Sequence, residues 1–329
     1  MRTTLVTALL SLAGVIVTAQ TTQLHLVSTA WPPFTNEPGK PRLALDLVEA
    51  AFARIGVSST TAIVAAPEFT SSLLSGRFEG SAAAWKDQER EHILIFSQPY
   101  LENRLILVGR RGVDVSATTF AGLAGKRIAI VEGYSYGDAI DNAGPTFVRT
   151  RKEEESLTQL LGGAVDYTLM DELVVRYITS KYAKEAQSRL QFGATPLITR
   201  PLYLAVRKDL PDAESIVNRF NAQIRGMIAD HTYHRLLHLD WIHADVDGDG
   251  VAEYVPHSDR LGTVEPQGAY SITTSTTEPA PRQPDNTQRR FYVGGNLYAD
   301  WASVPKAYKI ESSGWYPGRS TASVFTFKW

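Results

Sequence analysis

Short apolar strands alternate with amphipathic helices from Leu24 to Trp241, and this alternation most narrows the folds open to the chain. It predicts an α/β protein. Strands are expected at residues 24–27, 80–84, 105–108, 127–131, 167–170 and 203–206, and helices at 44–55, 69–74, 156–161 and 171–182. In the first helix Leu45, Val48, Phe52 and Ile55 recur at spacings of three and four, and Gly56 follows where a left-handed C-terminal cap sits. A long helix opens at Pro211, whose fixed φ suits a first turn, and carries Ile216, Phe220, Ile224 and Met227. A shorter helix is expected at 232–241.

The two ends differ from this body. Arg2 precedes an apolar run from Leu5 to Val17, and small residues at Val17-Thr18-Ala19 complete a secretory signal peptide over 1–19, cleaved after Ala19. The run is about 13 residues, short of the roughly 20 that span a bilayer, so no membrane anchor is expected. There is no cysteine, which excludes disulfides, thiolate zinc sites, a cysteine nucleophile and an acylated N-terminal cysteine. The mature chain is therefore expected free in the periplasm. With 33 Lys and Arg against 35 Asp and Glu, no nucleic-acid partner is expected.

After residue 260 prolines 266, 279, 281 and 284 stand among Thr, Ser, Gln and Gly, which predicts a flexible linker over 257–290. Residues 291–329 then carry ten aromatics, among them Phe325, Phe327 and Trp329 in strand alternation, and predict a small aromatic-rich β appendage.

Between body and tail, residues 244–256 place Asp245, Asp247, Asp249, Gly250, Val251 and Glu253 at loop positions one, three, five, six, seven and nine. This is the front half of a calcium loop, in which oxygen ligands at alternate positions wrap a hard cation. Pro256 stands at position twelve and cannot ligate, so Glu253 has to serve; a structural calcium ion is the expectation, with a plain Asp/Gly turn as the alternative. His231, His234 and His238 share one helix face, with Tyr233, Leu237 and Trp241 on the other; a solvated face is expected rather than a metal site.

Collinear motifs carry a resemblance. They are Trp31-Pro32-Pro33-Phe34, Leu43-Ala44-Leu45-Asp46-Leu47, Leu73-Leu74-Ser75-Gly76-Arg77-Phe78-Glu79, and Glu89-Arg90 before Phe96-Ser97-Gln98-Pro99-Tyr100. Leu123-Ala124-Gly125-Lys126-Arg127 leading to Val131-Glu132-Gly133, and Gly162-Gly163-Ala164-Val165-Asp166 leading to Asp171, complete the set. In these the chain resembles the bacterial solute-binding proteins for polar amino acids that serve ABC importers. The resemblance implies a two-lobed periplasmic-binding-protein fold of type II, with lobe 1 at 20–103 and 201–243 and lobe 2 at 104–200. It also implies a hinged cleft, capture of an amino acid or similar small polar zwitterion, delivery to ABC importer membrane subunits, and no cofactor for binding.

The same resemblance assigns Arg90 to a ligand α-carboxylate, a role that suits a planar and permanently charged guanidinium. It assigns Asp171 to a ligand α-ammonium, Ser135 to a hydroxyl beside the carboxylate, and Trp31, Tyr134 and Tyr136 to the cleft, where rings can sandwich an apolar or cationic group. Trp85 also belongs to the cleft. The family's hydroxyls before the arginine are replaced by Ala83, Trp85 and Asp87, which removes two hydrogen bonds expected for a standard α-amino acid. Two other readings remain open: a lyase on the same scaffold with Asp171 or Glu132 as acid, and a calcium-braced interaction protein with a degenerate cleft. No nucleophile elbow, phosphate loop or HExxH pattern appears.

Overall fold

The computed structural model describes residues 22–310 except 87, 133, 135, 137–139, 141–143, 182–187, 267–268 and 273–288. The expected signal peptide, Ser135, Asp87 and the ring alternation at 325–329 lie outside the described residues.

The first lobe starts with β1 (Thr22–Thr29), whose 24, 26 and 27 side chains are buried. Next come α1 (Leu43–Arg54), β2 (Val57–Val64), α2 (Ala66–Leu74), β3 (Gly80–Ala84), the single turn α3 (Gln88–Glu91) and β4 (Leu94–Phe96). Helix α1 buries Leu45, Val48 and Phe52 as its spacing predicts, and Phe52 meets Phe220 edge-on at 5.7 Å. β1 lies parallel to both β2 and β3.

Two long antiparallel strands, β5 (Leu101–Arg110) and β9 (Leu190–Arg207), join the lobes. β5 pairs with β8 (Tyr167–Asp171) only from Leu105 onward, while β9 pairs with β3 at Gly80, Ser81 and Ala84 through Tyr203 to Val206. Both strands therefore change partners within a few residues of Asn103 and Pro201, where a hinge belongs. The second lobe adds β6 (Arg127–Val131), β7 (Thr146–Thr150), α4 (Glu153–Leu161) and α5 (Glu172–Lys181). The sheet runs β2-β1-β3-β9-β5-β8-β6-β7, with β4 on β9.

The chain then returns to lobe 1 through α6 (Ala213–Ala229) and α7 (Thr232–Leu237). The short helix ends at Leu237 instead of reaching Trp241, because His238 takes a left-handed φ of 53° and Trp241 opens a strand. His234 is 1 % exposed and its Nε2 lies 3.0 Å from the Val255 carbonyl oxygen. The expected solvated histidine face is thus corrected: strand packing from the tail covers its middle member.

A second sheet follows, in the order β12-β10-β11-β13-β14. Its strands are β10 (Trp241–Ala244), β11 (Glu253–Pro256), β12 (Tyr270–Ser271), β13 (Phe291–Val293) and β14 (Asn296–Tyr298), and Phe291, Val293 and Val304 form its core. Where a flexible linker is expected, Tyr270 is buried and its hydroxyl donates to the Glu102 carbonyl at 2.7 Å and accepts the Glu102 N–H at 2.8 Å. The tail is thereby fastened to the hinge strand β5. No helix of the described residues is long and apolar enough to cross a membrane.

Candidate functional site

Rings from both lobes meet where the lobes face each other. Trp31 follows β1 in a turn closed by its N–H on the Thr35 carbonyl at 2.8 Å, and Trp85 follows β3. Tyr134 and Tyr136 follow β6 in lobe 2. Trp31 lies 5.7 Å from Trp85 and 5.3 Å from Tyr134, and Trp85 lies 5.7 Å from Tyr134 and 5.8 Å from Tyr136, centroid to centroid. The Arg200 guanidinium stands 5.6 Å over Trp85. Tilted and edge-on rings at these separations attract one another beyond their area burial.

A small pocket open to solvent adjoins this cluster, with Trp31, Phe69, Ala83, Trp85, Arg90 and Tyr134 among its lining residues. Arg90 is 6 % exposed. Its guanidinium donates to the Trp85 carbonyl at 3.2 Å and to Thr70 Oγ1 at 3.1 Å, and lies 5.4 Å over the Phe69 ring. These contacts hold a fixed positive charge in the pocket wall, as carboxylate binding needs.

The structure places Asp171 elsewhere. It is 3 % exposed, is not among the pocket-lining residues, and accepts from Leu173 N–H at 2.7 Å, Arg104 N–H at 2.9 Å and Asn103 Nδ2 at 3.2 Å. Burial pushes its carboxyl up to about 7 against the pull of these three bonds. Both oxygens serve the start of α5 and the hinge strand, so this arrangement gives no support to an ammonium-binding role. Glu132, the other carboxylate considered as an acid, is exposed.

Sequence reasoning missed Glu153, the first residue of α4. Tyr134 Oη donates to its Oε1 at 3.3 Å. Burial pushes Glu153 up to about 7. In the sequence it is one of three consecutive glutamates at a helix start, a common solvated pattern; only the packing of α4 beneath Tyr134 singles it out.

The model for bacterial extracellular solute-binding proteins, family 3, matches residues 25–243. The chain belongs to this family. ArgBP from T. maritima, in its P235GK mutant form, matches with a TM-score of 0.53 at 23% identity, over 65% of this chain and 93% of that one. An arginine 3rd transport system periplasmic binding protein from Legionella pneumophila gives 0.54 at 21%, over 65% and 97%. The GluR0 ligand-binding core from Nostoc punctiforme, in complex with (L)-glutamate, gives 0.54 at 20%, over 65% and 96%. These likenesses show the type II two-lobed fold. A comparison with curated protein sequences finds no match.

Ala83 and Trp85 both line the pocket. Ala83 leaves a bare apolar wall, and Trp85 turns its indole N–H away to Asn103 Oδ1 at 2.7 Å while its ring joins the cluster.

Strand β10 of the second sheet overlaps the end of the segment matched by the family, and its other four strands follow it. In its acidic loop Asp245, Asp247 and Glu253 can bring one oxygen each within 4.8 Å of one another, a spacing compatible with a cation. Arg290 already reaches these carboxylates, at 2.7 Å from Asp249, 3.3 Å from Asp247 and 2.9 Å from Glu253. Asp249 is turned to this guanidinium, and the Val251 side chain is exposed.

Proposed function

We propose that this chain is a periplasmic receptor that captures an amino acid or similar small polar zwitterion between its hinged lobes and delivers it to an ABC importer. The observation that carries the reading is the meeting of Trp31 and Trp85 from lobe 1 with Tyr134 and Tyr136 from lobe 2 beside the buried Arg90. A solute held by groups of both lobes favours the closed form by its differential affinity for closed over open. Family membership supports solute binding, and the similar structures named for arginine and glutamate support an amino acid. The matched family is one of extracellular proteins, which supports an exported receptor.

Family membership favours the receptor over the lyase reading; Glu132 is exposed, and the Asp171 oxygens accept from Leu173, Arg104 and Asn103. The test is a thermal-shift screen of the mature chain against proteinogenic amino acids, small carboxylates and polyamines, repeated with Arg90→Ala. At a hundredfold excess over Kd a ligand stabilises by about 2.7 kcal/mol. A hit that Arg90→Ala abolishes is expected; no hit, or hits indifferent to Arg90, would remove the reading.

A further inference from the structure

We infer that Tyr270 makes the tail a working part of the hinge: its hydroxyl holds β5 in the bend that brings the lobes together, so that the C-terminal sheet restrains lobe opening. A restraint of this kind goes beyond the receptor reading, because it acts whichever solute the cleft takes.

Successive residues of an antiparallel strand turn their backbone groups alternately toward and away from the partner strand. Arg104 turns its N–H to the Asp171 carboxylate at 2.9 Å, on the side where β8 pairs with β5 from Leu105 onward. Glu102, two residues earlier in the same register with β9, faces the same way. The β8 pairing stops short of it, and the Tyr270 hydroxyl takes that place, accepting from the Glu102 N–H at 2.8 Å and donating to the Glu102 carbonyl at 2.7 Å. Glu102 is 4 % exposed and Tyr270 2 %. Both bonds are therefore made out of water, where pulling them apart leaves polar groups unsatisfied and costs more than such a bond nets.

The far end of this tether is anchored on lobe 1. Tyr270 lies on β12, which runs parallel to β10 with Tyr270 beside Ile242, and the Ile272 N–H donates to the His243 carbonyl at 2.9 Å. β10 follows directly on α7, whose His234 meets the Val255 carbonyl of β11 at 3.0 Å. Three consecutive hinge residues are thus held from three directions: Glu102 by the tail, the Asn103 amide by Trp85 of lobe 1, and Arg104 by Asp171 of lobe 2. All of these bonds are present with the lobes in contact, Trp31 lying 5.3 Å from Tyr134 and Trp85 5.8 Å from Tyr136. A rotation of lobe 2 about this segment carries Glu102 off the tyrosine hydroxyl, so the tail favours the closed arrangement.

The experiment is pulsed electron–electron distance measurement on the mature chain without solute. The sequence holds no cysteine, so Glu68→Cys on α2 of lobe 1 and Lys152→Cys just before α4 of lobe 2, both exposed positions, take spin labels cleanly. Tyr270→Phe is expected to raise the ratio of long to short distances by about fivefold or more. Tyr167→Phe, which loses a hydroxyl bond to the Asp114 carbonyl at 2.9 Å within lobe 2, should leave the distances as in the parent. A tyrosine that only adds stability would lower the melting temperature in both variants and move the distances in neither. Distances unchanged in Tyr270→Phe, or shifted equally in Tyr167→Phe, would overturn the inference. If Tyr270→Phe fails to fold, hydrogen exchange of the parent decides: the Glu102 amide should exchange at least about a hundredfold more slowly than an unstructured amide, and exchange at the unstructured rate would overturn the restraint. Neither measurement uses a solute, so each outcome is independent of the receptor reading.

Discussion

Trp85 Nε1 donates to Asn103 Oδ1 at 2.7 Å, and through the other end of the same amide, Nδ2 to Asp171 Oδ2 at 3.2 Å, a cleft ring of lobe 1 is joined to the start of α5 in lobe 2. Asn103 is fully buried at the point where β5 changes partners, so the chain of bonds runs through the hinge. Buried polar networks of this kind are worth keeping only while every member is satisfied.

Replacing Trp85 by Phe leaves the Asn103 carbonyl without this donor and should cost about 1–2 kcal/mol, whereas Asn103→Ala strands the indole N–H and weakens the hold on Asp171 for about 2–3 kcal/mol. Urea denaturation of both variants and of the double variant measures the link. Because both substitutions break the same bond, the double variant should lose less than the two single losses added together.

Acid should weaken the joint between lobe 1 and the tail. Burial holds His234 down to about 4, opposed by its bond to the Val255 carbonyl, while His231, His257 and Arg235 add small like-charge effects. The folded pKa lies below the unfolded value of 6.5, so the unfolded chain takes up the proton first. Stability is complete above pH 6.5 and is lost as pH falls through about 4, to a limit on the order of 3 kcal/mol. Melting curves between pH 7 and 4 should show this loss, and His234→Phe should flatten it; an equal slope in the variant would refute the assignment.

The Tyr270 hydroxyl both donates to and accepts from the Glu102 backbone, so Tyr270→Phe should lower stability by roughly 1–3 kcal/mol. Hydrogen exchange reads the effect locally: faster exchange at Glu102 and its neighbours on β5 is expected, with the core of α1 unchanged. Exchange unchanged at Glu102 would mean that the tail does not hold the hinge strand.

Arg290 is the cation of the acidic loop in this structure, and Glu253 is fully buried against it. Arg290→Ala should therefore destabilise by about 3 kcal/mol, the low end for a broken buried pair because Glu253, already raised to about 7 by burial, can take up a proton. Calcium, the ion the loop sequence fits, competes with this guanidinium for the same oxygens. It should raise the melting temperature of Arg290→Ala by more than that of the parent chain, and equal shifts would show that the loop does not bind it through these carboxylates.

Much of the scaffold is legible in the sequence because burial on one side leaves a period: α1, β3 and β6 lie at or within one residue of the positions their apolar spacing predicts. What hides is physical. β2 and β7 are edge strands with polar, half-exposed faces, so no alternation marks them. β9 reads as a short strand at 203–206 because Gly193, Pro196 and Pro201 interrupt it, yet it runs for 18 residues, with a register shift where Pro196 faces Ile106. Trp31, Arg90, Trp85 and Tyr134, assigned through the family resemblance, line one pocket. The ring cluster's link to Glu153, Asp171's engagement at the hinge, and Arg290 on the acidic loop join segments distant in the chain, and local sequence spacing carries no trace of them.

The most direct measurement is a crystal structure of the mature chain grown with the first solute that raises its melting temperature. The account predicts that solute between the lobes, its carboxylate on Arg90 and the rings of Trp31 and Tyr134 against it. A solute bound outside the cleft, or in the cleft without touching Arg90, would contradict it.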